Sequence, residues 1–319
     1  MNGGPLVLCP IDFSDSSAGA LRYAALIAGH FGTRLIVLAV EDPLLTEAAD
    51  LGTGILWTAE ECTAEMERFA SRALGSDAAI PGGLEYVVAV GKPATEILRV
   101  ARERSCGLIV ISTHGLTGVR KLFFGSTTER VLRETPCPVL LTSGMTPGHI
   151  GLPDLKARIG RILIPVDLTP ASLPQAQVGR ALAETLGLSL ILVHVVEPLR
   201  SRLAARLHLV GIEADRRAVA EDGLNELADT LGYTPRPEAL VAYGEPAEEL
   251  AKVARDRHAG LIVMGLHGSP LLGPRMGSVT YRLLCLSSAL VLALPPAGAA
   301  ESSSSSEGAQ VPASIGRRR

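Results

Sequence analysis

Aromatic residues are scarce, at 3% of the 319 positions, and Trp57 is the single tryptophan. The 47% of apolar residues must therefore build an aliphatic core of Leu, Val, Ile and Ala. Lys and Arg number 30 against 33 Asp and Glu, for a net charge of −3. A nucleic-acid surface shows as a strong basic excess, so no nucleic-acid partner is expected. Long apolar runs are missing too. The most apolar stretch, 188–199, is broken by Ser189, His194, Glu197 and Pro198, and a membrane span needs roughly 18–20 apolar residues. The five cysteines show no C-x-x-C spacing and are odd in number. Cys9, Cys106 and Cys137 lie in or beside apolar strand-like runs, where free cysteine acts as a small hydrophobe. A reduced, cytoplasmic setting is the expectation. Residues 1–5 lack the basic start of a signal peptide.

Several catalytic signatures are missing as well. No G-x4-G-K-[S/T] loop occurs, no G-x-G-x-x-G follows a strand, and no G-x-S-x-G elbow is present. These gaps speak against a P-loop ATPase, a Rossmann dinucleotide enzyme and an α/β-hydrolase. His114 and His267 have no second histidine at ligand spacing, so no metal site is expected. No nucleophile–base pair stands out, and an enzyme is not the expected class.

What is present is a repeat. Leu6-Val7-Leu8-Cys9-Pro10-Ile11-Asp12-Phe13-Ser14 matches Arg161-Ile162-Leu163-Ile164-Pro165-Val166-Asp167-Leu168-Thr169, 155 positions later. The stretches 35–40 and 190–195 match at the same offset. Gly91-Lys92-Pro93-Ala94 matches Gly244-Glu245-Pro246-Ala247, and 107–111 matches 260–264, both at 153. Gly125-Ser126 matches Gly277-Ser278 at 152. The period lies far above the 20–50 residues of stacked repeats, so the chain is a duplicated domain.

Each copy alternates apolar, β-branched runs with helical patterns. In the first copy the expected strands are 6–11, 35–40, 86–90, 108–111 and 139–142. Met66, Phe69, Ala70 and Ala73 form one helical stripe, and Ala94, Ile97, Leu98 and Ala101 another. Continuous apolar strands separated by helices argue for a parallel sheet covered on both faces. The expected fold class is α/β, with two tandem open five-stranded domains at 1–142 and 161–295. Residues 143–160, rich in Gly and Pro, read as a linker. Residues 296–319 carry Ser302–Ser306 and end in three arginines. That composition cannot offset its ordering entropy and reads as a disordered tail.

The candidate chemistry lies at strand ends. After the fourth strand, Ser112-Thr113-His114-Gly115 leads through nine residues to Gly125-Ser126-Thr127-Thr128-Glu129. Ser126 and Glu129 read as a capping box opening a helix. A helix N-terminus reached through glycine turns offers free N–H groups and close backbone approach to a phosphate. The second copy keeps the pattern as Gly265-Leu266-His267-Gly268, eight residues, then Gly277-Ser278-Val279. Asp12 and Asp167 end the first strand of each copy and can accept bonds from a base or ribose. Ser14 and Asp15 are available to cap the next helix, which frees Asp12. Ligands of open α/β sheets sit at such strand ends.

On these residues the chain resembles the universal stress protein family in its tandem form, over about 4–142 and 160–294. The motif that carries the resemblance is G-x2-G-x9-G-[S/T] after the fourth strand, with hydrophobic-Pro-x-Asp ending the first. The resemblance implies a fold like that of the adenine nucleotide alpha hydrolases, with four helices per domain. It also implies an adenine nucleotide, ATP with or without magnesium, between the first and fourth strand ends. Pro10, Ile11, Asp12 and the Val40 backbone would face adenosine, and Gly115, Gly125, Ser126 and Thr127 would cradle phosphates. The second-copy counterparts are Pro165, Val166, Asp167, Val195, Gly265, Gly268, Gly277, Ser278 and Val279. Each copy departs once: Ser112 replaces the leading glycine, and the second spacer is eight residues long with Pro270 and Pro274. The implied role is a stress-response regulator or sensor. The alternative is a nucleotide-independent scaffold for a protein, a lipid or another small ligand. The resemblance further implies an internal pseudo-dimer through the last strands, Val139–Leu141 and Leu290–Leu294, and leaves a homodimer of whole chains open.

Overall fold

The computed structural model describes residues 5–41, 59–75, 80–113, 125–142, 151–198, 210–266 and 278–296. The first half runs β1 (Leu6–Ile11), α1 (Asp15–Phe31), β2 (Leu35–Glu41), α2 (Ala59–Leu74), β3 (Leu84–Val90), α3 (Pro93–Glu103), β4 (Cys106–Ser112), α4 (Ser126–Glu134) and β5 (Val139–Thr142). After α5 (Leu152–Ile159) the second half repeats the order. It runs β6 (Arg161–Pro165), α6 (Ser172–Leu186), β7 (Ser189–Val196), α7 (Val210–Leu231), β8 (Glu238–Tyr243), α8 (Pro246–Asp256), β9 (Leu261–Gly265), α9 (Ser278–Leu286) and β10 (Leu290–Leu294).

All ten strands join one sheet in the order β3-β2-β1-β4-β5-β10-β9-β6-β7-β8. Pairing is parallel within each half. The halves meet through one antiparallel pair, in which Val139, Leu140 and Leu141 face Ala293, Leu292 and Val291. These are the strands expected at the internal contact. The helices divide between the two faces. One core holds α1, α2, α5, α6 and α7 residues, and the other holds those of α3, α4, α8 and α9. Both helical stripes read from sequence are buried.

The expected linker is not wholly a linker. Its second part folds as α5, because Leu155 and Ile159 stand four residues apart on one helix face and bury in the core that also holds Tyr23. Asp154 starts the helix by accepting from the Gly151 N–H at 3.0 Å. The rest of the linker, 143–150, and the tail from 297 lie outside the described residues.

Candidate functional site

Strand order places the site. From β1 the chain moves outward through β2 and β3, then returns to the other side as β4, so the order reverses between β1 and β4. The second half reverses between β6 and β9. Beyond these carboxyl ends lies the crevice in which open α/β sheets take ligands.

In the first half a tight turn follows β1. Phe13 has φ of 61°, a conformation rarely adopted outside glycine and Asn/Asp. Its ring meets Phe69 of α2 edge-on, with centroids 5.5 Å apart, which holds the turn. Ser14 caps α1 by accepting from the Ser17 N–H at 3.1 Å. Asp12 Oδ1 in turn accepts from the Ser14 N–H at 3.1 Å and from the Ser14 hydroxyl. The expectation that Ser14 frees Asp12 is thus corrected, because the carboxylate braces the cap.

Helix α4 is docked on the end of β4. The Thr128 hydroxyl donates to the Ser112 carbonyl at 3.1 Å, and the Gly125 N–H points to the Thr113 carbonyl at 3.5 Å. The N-cap is Gly125, with extended backbone and no side-chain cap. The expected capping box is therefore corrected. Ser126 is the first helical residue and cannot reach back as a cap, so among the described residues no side chain caps the first turn. Ser126 is exposed, Thr127 half-buried and Thr128 buried. With Thr128, the residues Ser112, Thr113 and Thr142 bring four buried hydroxyls to the ends of β4 and β5. Thr142 Oγ1 is the one buried side-chain N or O atom without a hydrogen-bond partner among the described residues.

The second half repeats the turn. Leu168 has φ of 60°, matching Phe13. Asp167 Oδ1 accepts from the Thr169 N–H at 3.0 Å, the Thr169 hydroxyl at 2.7 Å and the Ser172 hydroxyl at 2.9 Å. Burial pushes the Asp167 carboxyl up, but these donors outweigh it and hold it below the usual carboxylate range. A cavity of about 1020 Å³ opens here. It is lined by Pro165, Val166, Asp167, Val195, Gly265, Ser278 and Val279, so the described second-half candidates converge. Its far wall is the first half's underside, with Arg102, Cys106 and Pro138.

Val40 and Val195 lie on β2 and β7, in register with Ala89 and Ala242 of the outer strands. Pro10 and Ile11 close β1 in register with Leu38 and Ala39. Gly115, Gly268, Gly277, His114 and His267 lie outside the described residues. Sequence reasoning missed Gln175, His194 and Arg102. His194 Nδ1 is 2.9 Å from the Val166 carbonyl. Gln175 Nε2 donates to the carbonyls of Pro165 at 2.6 Å and Val263 at 3.2 Å, while its Oε1 accepts from the Gly265 N–H at 3.0 Å. Its sequence signal was a glutamine at the position of the buried Ala20 in the first copy.

The family model described as "Universal stress protein family" matches residues 6–143 and again 158–295. Universal stress protein YxiE of Bacillus subtilis is 32% identical over 143 residues, covering 42% of this chain and 96% of the relative. Among solved structures, PA1789 of Pseudomonas aeruginosa, described as functionally unknown, superposes with a TM-score of 0.64 at 18% identity, over 94% of this chain and 95% of its own. A universal stress protein of Archaeoglobus fulgidus gives 0.60 at 17%, over 92% and 99%. Those two likenesses establish the fold across both halves. With one family match in each half, this chain belongs to the universal stress protein family as a tandem pair of domains.

Proposed function

We propose that the chain binds an adenine nucleotide, ATP in the first instance, at the strand ends of its sheet, and acts as a regulator whose ligand state alters its partners. The observation that carries this reading is the start of α4. Gly125 leaves the first turn without a side-chain cap, and Thr128 fixes that turn to the end of β4 at 3.1 Å. Uncapped N–H groups and the helix dipole together favour a phosphate. Asp12, hydrogen-bonded to Ser14, stands at the neighbouring strand end, the side of the crevice where the ribose is proposed to lie. These two features, on neighbouring strand ends of one crevice, support the reading.

Binding rather than turnover is the proposed role. The Asp167 carboxylate, held below its usual range by three donors, is a poor proton acceptor. The test is mass spectrometry of nucleotide released by denaturing the purified full chain, followed by titration with ATP. Adenine nucleotide released, or bound on titration, supports the reading. A chain that carries none and binds none at millimolar ATP overturns it.

A further inference from the structure

The two crevices are not built alike, and the difference sits on one side chain. Gln175 rises from α6 between the ends of β6 and β9. Both of its amide hydrogens go to strand carbonyls, Pro165 on one wall and Val263 on the other. Its oxygen takes the N–H of Gly265, the leading glycine of the phosphate motif. The carboxamide therefore bridges the two strand ends and occupies the Gly265 N–H, a backbone donor on the cavity wall.

The first half cannot do this. The position 155 residues earlier is Ala20, which has no polar side-chain atom, and the residue matching Gly265 is Ser112. The exchange is paired in size as well as polarity. A Cβ on Gly265 would stand 3.2 Å from Gln175 Oε1, tighter than ordinary contact, so a long side chain at 175 goes with glycine at 265. Alanine at 20 leaves room for a serine at 112. The neighbouring positions follow suit. Thr113 and Thr142 of the first half correspond to Leu266 and Leu294 of the second, all four buried. The polar strand ends, with the unpartnered Thr142 Oγ1, belong to the first half alone.

We infer that Gln175 is a specificity-determining latch that makes the two sites unequal. The first half takes the nucleotide, and the second takes it only when Gln175 gives up its three bonds. The inference rests on the nucleotide reading above. It adds that reading's stoichiometry and the residue that sets it. The cavity beside Gln175 is roomy enough for a nucleotide, so the latch acts on recognition at the crevice and not on space.

The experiment is equilibrium dialysis of the full chain with radiolabelled ATP, counting equivalents in wild type, Gln175→Ala and the reciprocal Ala20→Gln/Ser112→Gly. Hydrogen exchange at the Gly265 amide runs alongside, without nucleotide. Wild type should bind one equivalent, with any second at least tenfold weaker. Q175A should bring in the second equivalent and speed exchange at Gly265. The reciprocal variant should lose the first-half equivalent, and it keeps the proposal testable if Q175A fails to fold. Two equal equivalents in wild type, unchanged by Q175A, overturn the latch and leave nucleotide binding standing. Failure of every variant to bind ATP overturns both.

Discussion

Helix α6 carries Gln175, and its seat on the sheet is set one turn further along, at Gly179. A Cβ built on Gly179 would lie 3.0 Å from Ile164 Cγ1 and closer still to Cδ1. Ile164 is fully buried in β6, so its side chain has little room to yield. Two effects then oppose each other in Gly179→Ala. Alanine in a helix interior gains about 1 kcal/mol over glycine. Overpacking a filled core costs roughly 1–3 kcal/mol. The structure puts packing ahead, for a net loss of about 1 kcal/mol in unfolding free energy. At a urea slope of roughly 2 kcal/mol/M that lowers the midpoint by about 0.5 M. The counterparts of Gly179 and Ile164 in the first half are Ala24 and Cys9, both buried in the same core, so alanine there goes with a smaller strand residue. Ile164→Val alone should cost about 0.5–1.5 kcal/mol. In the double variant the two costs should fall short of adding, by about 1 kcal/mol or more. Urea melts of the four proteins decide it. A Gly179→Ala chain that is stabilised by about 1 kcal/mol, as helix propensity alone requires, refutes the packing argument.

Three further outcomes are expected. Gly125→Asp places a carboxylate at the α4 N-cap, where no heavy atom lies within 4 Å of the new Cβ. It should stabilise the ligand-free chain by a few tenths to about 1 kcal/mol while weakening ATP binding at least tenfold, and equal ATP affinity would remove the phosphate from this helix. Asp167 is held below the usual carboxylate range, so its contribution to stability is present above its unfolded pKa and fades as pH falls toward the folded value; Asp167→Asn should flatten the acid limb of the stability profile, and an unchanged limb contradicts this. Burial pushes the Cys9 thiol up, Cys106 up to about 12, and Cys62 and Cys137 up to about 11. A thiol reagent at pH 8 should therefore reach the half-exposed Cys285 first and the other four only on unfolding; two or more fast thiols would count against it.

Much of the fold was legible because duplication repeats its own punctuation. The apolar runs around Leu6–Ile11 and Arg161–Pro165 named the strands, and glycines at matching offsets named the turns. Two strands begin two residues earlier than their apolar runs, β4 at Cys106 and β3 at Leu84. Helix α5 escaped because its glycines and prolines flank a short stripe, Leu155 and Ile159, whose partners lie in distant helices. The α4 cap escaped because Gly125 and Ser126 both suit an N-cap, and the docking of Thr128 on Ser112 decides between them. The role of Gln175 could not be read locally. Its partners at Val263 and Gly265 stand 88 and 90 residues away in sequence, and only the sheet order brings them together.

A nucleotide at the strand ends would carry its base beside β1 and β2. Photolabelling of the full chain with an azido-ATP, followed by peptide mapping, tests it most directly. Label is expected on peptides bearing the β1–α1 turn around Asp12 or the end of β2, with loss of that label under excess ATP. Label scattered over other peptides, or undiminished by excess ATP, would contradict it.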